Sequence, residues 1–437
     1  MNWLNFFETK TPLRHSFGRC INAQLAPNEE ELFNKSYEAF ESKDILDDYE
    51  YFFKSLENFT FEKSNQNIIT TREEKRLLFT IFQGSAKITG YITTEHLYAE
   101  STLCRNDASH VALKRYILER NYQLTYANYF CDGEYIKLKL YHDNITITPQ
   151  KIFFPLRELA LNADFDKEYV KTEFCDTLLQ DTKHLEPIDS KELEIKFNSM
   201  QSWIDEATAK IITLPSNDNA GMQAFTYLYL LFKIDYLLVP RYEIHQKMSK
   251  KIQHYYADES LPIESKNEEL KEYVQKLRDM AFEKFKMTFY NALYTFNPTD
   301  KTSNEEITLF IDESLKKIRW YKNNRYNQII PTIYRYIAFY ILYNYGLHPA
   351  VKELLHTLVE IQNPQFFKEL DYNVLYDEET QNFSKRSIIS RIEDIIEPHQ
   401  ERFKLLEPFG TELNYETLNE FSNSFYLNIT ALNFEEV

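Results

Sequence analysis

The hydrophobic period changes once along this chain, and the change constrains the fold more than any motif does. Between residues 77 and 140 the apolar residues alternate or gather in short β-branched runs, the period-2 pattern of strands with one buried face. From about residue 188 onward almost every long segment has apolar residues three or four apart, the mark of helices that each bury a stripe. A length of 437 residues leaves room for two domains built on these two periods. The expected architecture is an α+β N-terminal domain (helix, three antiparallel strands, helix, two strands, helix) followed by an all-α helical C-terminal domain. The expected divisions are a docking segment at 1–27, the α+β domain at 28–185 and the helical domain at 189–437, with a polar boundary at 181–190 that contains Pro187.

Local signals sharpen this outline. Strands at 77–82 and 86–92 flank Gly84, where a positive backbone angle costs little. A second hairpin is expected at 124–130 and 135–141 around Asp132-Gly133. A helix with a stripe of Val111, Leu113, Ile117 and Leu118 joins the two hairpins, and Thr148-Pro149 opens the next helix. One helix is expected over about 28–56. In the second half, helices are expected at 190–213, 220–239, 242–256, 267–294, 303–329, 331–346, 349–359, 385–396 and 415–427. Ser303 and Glu306 have the spacing of a capping box. The run from Ile333 to Tyr343 is apolar nearly all round, as befits a central helix.

Composition excludes several function classes. Lys plus Arg is 50 and Asp plus Glu is 67, a net charge of −17, so nucleic acid would have to meet a local basic patch and is not the expected partner. With 7 glycines there is no P-loop and no Gly-x-Ser-x-Gly elbow. The four cysteines, Cys20, Cys104, Cys131 and Cys175, form no Cys-x-x-Cys pair and are expected to be reduced thiols in the cytoplasm. The first residues lack a signal-peptide pattern. The most apolar segment, 222–239, is broken by Gln223, Lys233 and Asp235, so no membrane association is expected. The ten histidines include no i, i+4 pair, so neither a metal nor another cofactor is expected.

Two groups carry candidate chemistry. Arg105 and His110 have the spacing of a short ribonuclease motif found in HEPN domains, but they lie at a strand-to-helix junction where Asn106 and Asp107 are natural caps. Lys316, Lys317, Arg319, Lys322 and Arg325 are interleaved with Trp320, Tyr321 and Tyr326, and no acidic residue falls between Ser314 and Tyr336. Basic residues among aromatics suit single-stranded nucleic acid. The plainer expectation is a solvated helix face whose aromatics point into the core. No catalytic residue is assigned.

Residues 90–174 resemble the bacterial type III secretion chaperone-like superfamily, which includes the YbjN-like proteins. The resemblance is carried by the run from Leu113 to Leu124 (LKRYILERNYQL), by Phe130-Cys131-Asp132-Gly133-Glu134-Tyr135-Ile136-Lys137-Leu138, by Ile147-Thr148-Pro149 and by Leu156-Arg157-Glu158-Leu159-Ala160. It implies a non-enzymatic protein that holds a segment of a partner polypeptide, a client or a machine subunit, and that forms a homodimer. The helical second half has no counterpart in those short chaperones. With the resemblance, the expected function is a chaperone- or adaptor-like interaction protein. Trp3, Phe6, Phe7, Tyr122, Tyr126 and Phe130 are its candidate partner-binding residues, and a nucleic-acid-binding protein or ribonuclease is the alternative.

Overall fold

The computed structural model describes residues 17, 18, 25, 27–57, 66–107, 110–144, 148–174, 176–215, 219–257 and 259–436. Two helices, α1 (Pro27–Glu41) and α2 (Ile45–Ser55), precede the strands β1 (Ile68–Arg72), β2 (Leu77–Gln83), β3 (Ala86–Ile92) and β4 (His96–Arg105). Helix α3 (Val111–Gln123), strands β5 (Asn128–Cys131) and β6 (Tyr135–Asp143), and helix α4 (Pro149–Glu173) follow. All six strands form one antiparallel sheet in the order β1-β2-β3-β4-β6-β5. The α+β order expected from the sequence is present, with two differences. The single helix expected over 28–56 is broken at 42–44, where Lys43 has φ +63° and Asp44 caps α2 by accepting the Asp47 amide. Strand β1 was not expected, because its five residues do not alternate cleanly: Ile68 is buried and Ile69 is 46% exposed.

Alternation decides which face of the sheet is covered. Leu77, Phe79 and Ile81 of β2, Ile88 and Ile92 of β3, Leu97 and Ala99 of β4, and Leu138 and Leu140 of β6 are buried with Phe52 and Phe53 of α2 and Ile152, Leu156 and Leu159 of α4. Among the described residues no helix packs on the opposite face, which presents a cross-strand row in which Tyr91 pairs with Tyr98 and Tyr98 with Tyr141. Both hairpin turns lie where expected, with Gly84 at φ +53° and Gly133 at φ +100°.

The second half contains α5 (Ser190–Ile212), α6 (Ala220–Lys233), α7 (Tyr242–Ala257), α8 (Ile263–Arg278), α9 (Phe282–Lys286), α10 (Asn304–Asn323), α11 (Ile330–Asn344), α12 (Pro349–Gln362), α13 (Pro364–Glu369), α14 (Lys385–Ile396) and α15 (Leu418–Ala431). A two-stranded ribbon, β7 (Tyr376–Asp377) with β8 (Asn382–Phe383), interrupts the helices. Helix α11 is central, with Ile333, Ile337, Ala338, Phe339 and Ile341 all at 0% exposure. The Tyr426 hydroxyl enters its ladder, donating to the Tyr334 carbonyl at 2.6 Å and accepting the Ala338 amide at 3.0 Å. Ser303 caps α10 through the Glu306 amide, as the capping box predicts. Helix α6 closes in a wide π turn at Ile234–Leu238. Pro240 has no amide to offer the Tyr236 carbonyl, and Gly18 donates to it instead at 2.8 Å.

One expectation fails outright. The helix expected over 267–294 ends at Arg278, and after the short α9 the chain is extended and crosses to the sheet. There the Gly84 amide donates to the Leu293 carbonyl, and the Gln83 side-chain oxygen accepts the amides of Thr295 and Phe296. Phe296, 1% exposed, completes the core of the α+β half.

Candidate functional site

Helix α3 is fixed from one side. Leu113 and Ile117 point into the core, while Tyr116 and Arg120 reach α4. The Asp166 carboxylate, at 0% exposure, accepts hydrogen bonds from Tyr116 Oη at 2.5 Å, Tyr129 Oη at 2.8 Å and Arg120 Nε at 2.9 Å. Burial raises its pKa, and the Arg120 charge and the two phenols work against that rise. This bolt ties α3, β5 and α4 together.

The outer side of α3 carries a stripe of the opposite character. Val111, Arg115, Leu118 and Tyr122 follow one another at helical spacing along about 16 Å. Val111 and Leu118 are each 69% exposed and Tyr122 is 92% exposed. Tyr126, 48% exposed, continues the surface beyond the helix. Phe130 is half-buried on the uncovered sheet face, with the Lys139 ammonium 4.6 Å from its ring centre. Tyr122 and Tyr126 are thus both exposed, Tyr126 beside the His142 ring, while Phe130 is turned to the sheet. Trp3, Phe6 and Phe7 lie outside the described residues. The nearest described positions, Phe17 and Gly18, pack on the helical half against His356, Phe367, Tyr372 and Tyr236.

The sheet edge beside α3 is closed. Tyr129 of β5 turns its amide and carbonyl outward, and the Asn121 side chain pairs with both, accepting the amide at 2.5 Å and donating to the carbonyl at 2.9 Å. The Glu158 carboxylate collects the amides of Thr125, Tyr126 and Ala127. An incoming strand finds these groups already paired.

Arg105 and His110 are not assembled into a common site. The Arg105 guanidinium is held by Asp107 at 3.0 Å and Glu134 at 3.4 Å, and exposed His110 is the N-cap residue of α3. Asn106 donates to the Gly133 carbonyl, so neither it nor Asp107 is the N-cap residue of α3.

The basic stretch lies on the last turns of α10 and the turn after it. Ile311, Ser314, Leu315 and Ile318 form the buried stripe of the helix. Lys316, Lys317, Arg319, Lys322 and Arg325 are all exposed and make no ion pair among the described residues. Trp320 does not point into the core as expected. It is 53% exposed, and its ring is stacked on Tyr326 with centres 6.2 Å apart at 28°. Arg325 adopts φ +63° while the Tyr326 amide bonds back to the Tyr321 carbonyl, which fixes the turn that carries both side chains.

The densest buried polar group was not legible in the sequence, because it joins residues of both halves. Asp164 accepts from the Ser85 amide and hydroxyl at 2.7 and 2.8 Å. Burial first, and then the neighbouring Glu168 charge, pushes its carboxyl up to about 7. Tyr290 donates to Glu168 at 2.8 Å, and the Arg241 guanidinium lies 5.4 and 5.0 Å from the ring centres of Tyr290 and Tyr294. Lys167, 1% exposed, donates to the Gln180 carbonyl, and burial lowers its amine to about 8. Among the described residues no three His, Cys, Asp or Glu side chains gather as metal ligands, and no helix is long and apolar enough to cross a membrane. Cys104 and Cys131 are free thiols, and burial first raises the Cys104 thiol to about 11. Neither a family model nor a curated protein sequence matches the chain.

Proposed function

We propose that this chain is a non-enzymatic interaction protein, chaperone- or adaptor-like, whose α+β half binds a partner polypeptide while the helical half serves as a scaffold. One observation carries this: the outer stripe of α3 exposes Val111, Leu118 and Tyr122 to solvent while the inner side of the same helix is bolted down through Asp166. A rigid apolar stripe loses little entropy when it is covered. The occupant that suits it is an amphipathic helix of the partner laid along α3, because Asn121 and Glu158 leave the adjacent sheet edge closed to strand addition.

The test compares the native chain with a Leu118→Asp, Tyr122→Ser double variant as baits in the native host, with quantitative mass spectrometry of what each retains. Both side chains are exposed, so the fold is expected to survive, which a thermal melt checks. Truncating two central contacts is expected to weaken a specific partner about 10- to 100-fold. Equal retention by both baits would remove α3 as the binding surface. Light scattering on the purified chain covers the remaining occupant: a dimer that the double variant abolishes would assign the stripe to self-association instead.

A further inference from the structure

We propose that the exposed face of α10 and its closing turn binds single-stranded nucleic acid, with a base stacked on Trp320 and flanking phosphates held by Lys316, Lys317 and Arg319 of the helix and Arg325 of the turn. This surface lies in the helical half and is independent of the α3 stripe. Three features converge on it. First, the segment from Lys316 to Arg325 holds five cations and no acidic residue in a chain of net charge −17, so its positive potential is local. Second, these cations have no ion-pair partner among the described residues, whereas Lys35, Lys54, Lys247 and Arg278 on other helices face Glu31, Glu50, Glu243 and Asp205. The helix dipole accounts for cations in the last turn of α10 but not for Lys316 and Lys317, which lie before it. Third, Trp320 is backed by Tyr326 and leaves 53% of its surface in water, a cost that burial of either ring would have avoided.

The geometry selects the class of ligand. Around the helix, at about 100° per residue, Lys317 lies about 60° to one side of Trp320 while Lys316 and Arg319 lie about 40° and 100° to the other, so phosphates on either side of one base meet cations within a turn; Lys322, about 160° away, does not share this face. A duplex keeps its bases stacked on each other and offers the indole no face. An acidic peptide satisfies the cations but leaves the indole exposed. An unpaired strand uses both. The face spans about 14 Å, enough for a few nucleotides.

The test uses the full chain and a fluorescent oligothymidylate of 12 nucleotides as probe, followed by anisotropy and by tryptophan fluorescence. With four phosphate contacts the affinity is expected to fall about fiftyfold between 50 and 200 mM salt. For a Lys316→Gln, Lys317→Gln, Arg319→Gln variant, with one contact left, the same salt step is expected to cost about threefold. Trp320→Ala is expected to weaken binding about tenfold or more, and Trp320→Phe to recover most of it while removing the quenching of the exposed indole. Unchanged circular dichroism shows that these exposed positions have not disturbed the fold. Absence of probe binding at 50 mM salt overturns the proposal, as does binding that ignores both sets of substitutions. If a polyglutamate peptide displaces the probe and itself binds equally well to native chain and Trp320→Ala, the face serves an acidic polypeptide and the nucleic-acid assignment falls.

Discussion

Asp48 shows how one buried carboxyl makes stability depend on pH. It lies on α2 at 2% exposure, and its carboxylate accepts one hydrogen bond, from the Ser36 hydroxyl of α1 at 2.7 Å. Burial outweighs that bond and pushes the group up from 3.8 to about 7. Below about pH 4 the folded and unfolded chains both hold the proton. Between about 4 and 7 only the folded chain does, so its stability declines as the pH rises, by at most about 1.4 kcal/mol per unit. Asp164, also raised to about 7, acts in the same direction. Asp48→Asn removes one of these two contributions. The new amide adds a donor with no acceptor in place, so at pH 5 the variant is expected to be less stable than the native chain. From pH 5 to pH 8 the difference should move in the variant's favour by roughly 1–3 kcal/mol, read from denaturant unfolding at each pH. A constant offset would mean that the folded chain ionises Asp48 as freely as the unfolded one.

At the scale of elements, the α3–β5 corner rests on a side chain that imitates a strand. Asn121 pairs with the outward amide and carbonyl of buried Tyr129, the two bonds a neighbouring strand would otherwise make. Asn121→Ala leaves both groups without that partner and is expected to destabilise the half by about 1–3 kcal/mol. It should also open the edge to pairing between chains, seen as concentration-dependent light scattering near the unfolding midpoint. Loss of stability without any rise in scattering would show that Asn121 supports the corner but does not guard the edge. None of this was legible beforehand, since an asparagine in a helix carries no mark of the strand it serves. What was legible came from short-range chemistry: Gly84 and Gly133 mark their turns because each needs a positive φ, and Ser303 marks the start of α10 because its hydroxyl meets the Glu306 amide. The direction of Trp320 was legible too, since Ile311, Leu315 and Ile318 define a buried stripe that excludes it, but the aromatic content of the segment suggested a core instead. The break at 42–44 has no glycine or proline to announce it, and Lys43 takes the left-handed conformation itself. Residues 288–294 are rich in aromatics and read as the end of a helix. The extended form of the segment that runs on to Phe296 is held by Gln83, more than two hundred positions earlier, which accepts the amides of Thr295 and Phe296.

That long-range pairing decides how the whole molecule behaves. The two halves have separate hydrophobic clusters, yet Phe296 comes from the helical half and belongs to the core of the other, with Phe153 at 5.5 Å between ring centres. The buried Tyr290–Glu168 bond, the more exposed Arg157–Asp300 ion pair at 2.8 Å and the pairing of Arg402 with Glu30 of α1 cross the same divide. With a joint made of one buried ring and the buried bonds that Gln83 makes with Thr295 and Phe296 and Tyr290 makes with Glu168, unfolding of either half exposes groups of the other. The native chain is therefore expected to unfold in one calorimetric transition, although its length would suit two. Phe296→Ala removes about 3–5 kcal/mol of core packing at the joint and is expected to split the transition in two. Phe52→Ala is the matched control, since Phe52 is fully buried in the same core but comes from α2. It should lower the single transition without dividing it, because it weakens the α+β half and leaves the crossing segment in place. If both variants give one transition shifted by the same amount, Phe296 is ordinary core and the coupling resides in the polar bonds around Glu168 and Arg241. If the native chain already shows two transitions, the crossing segment holds the halves together without making them fold as one.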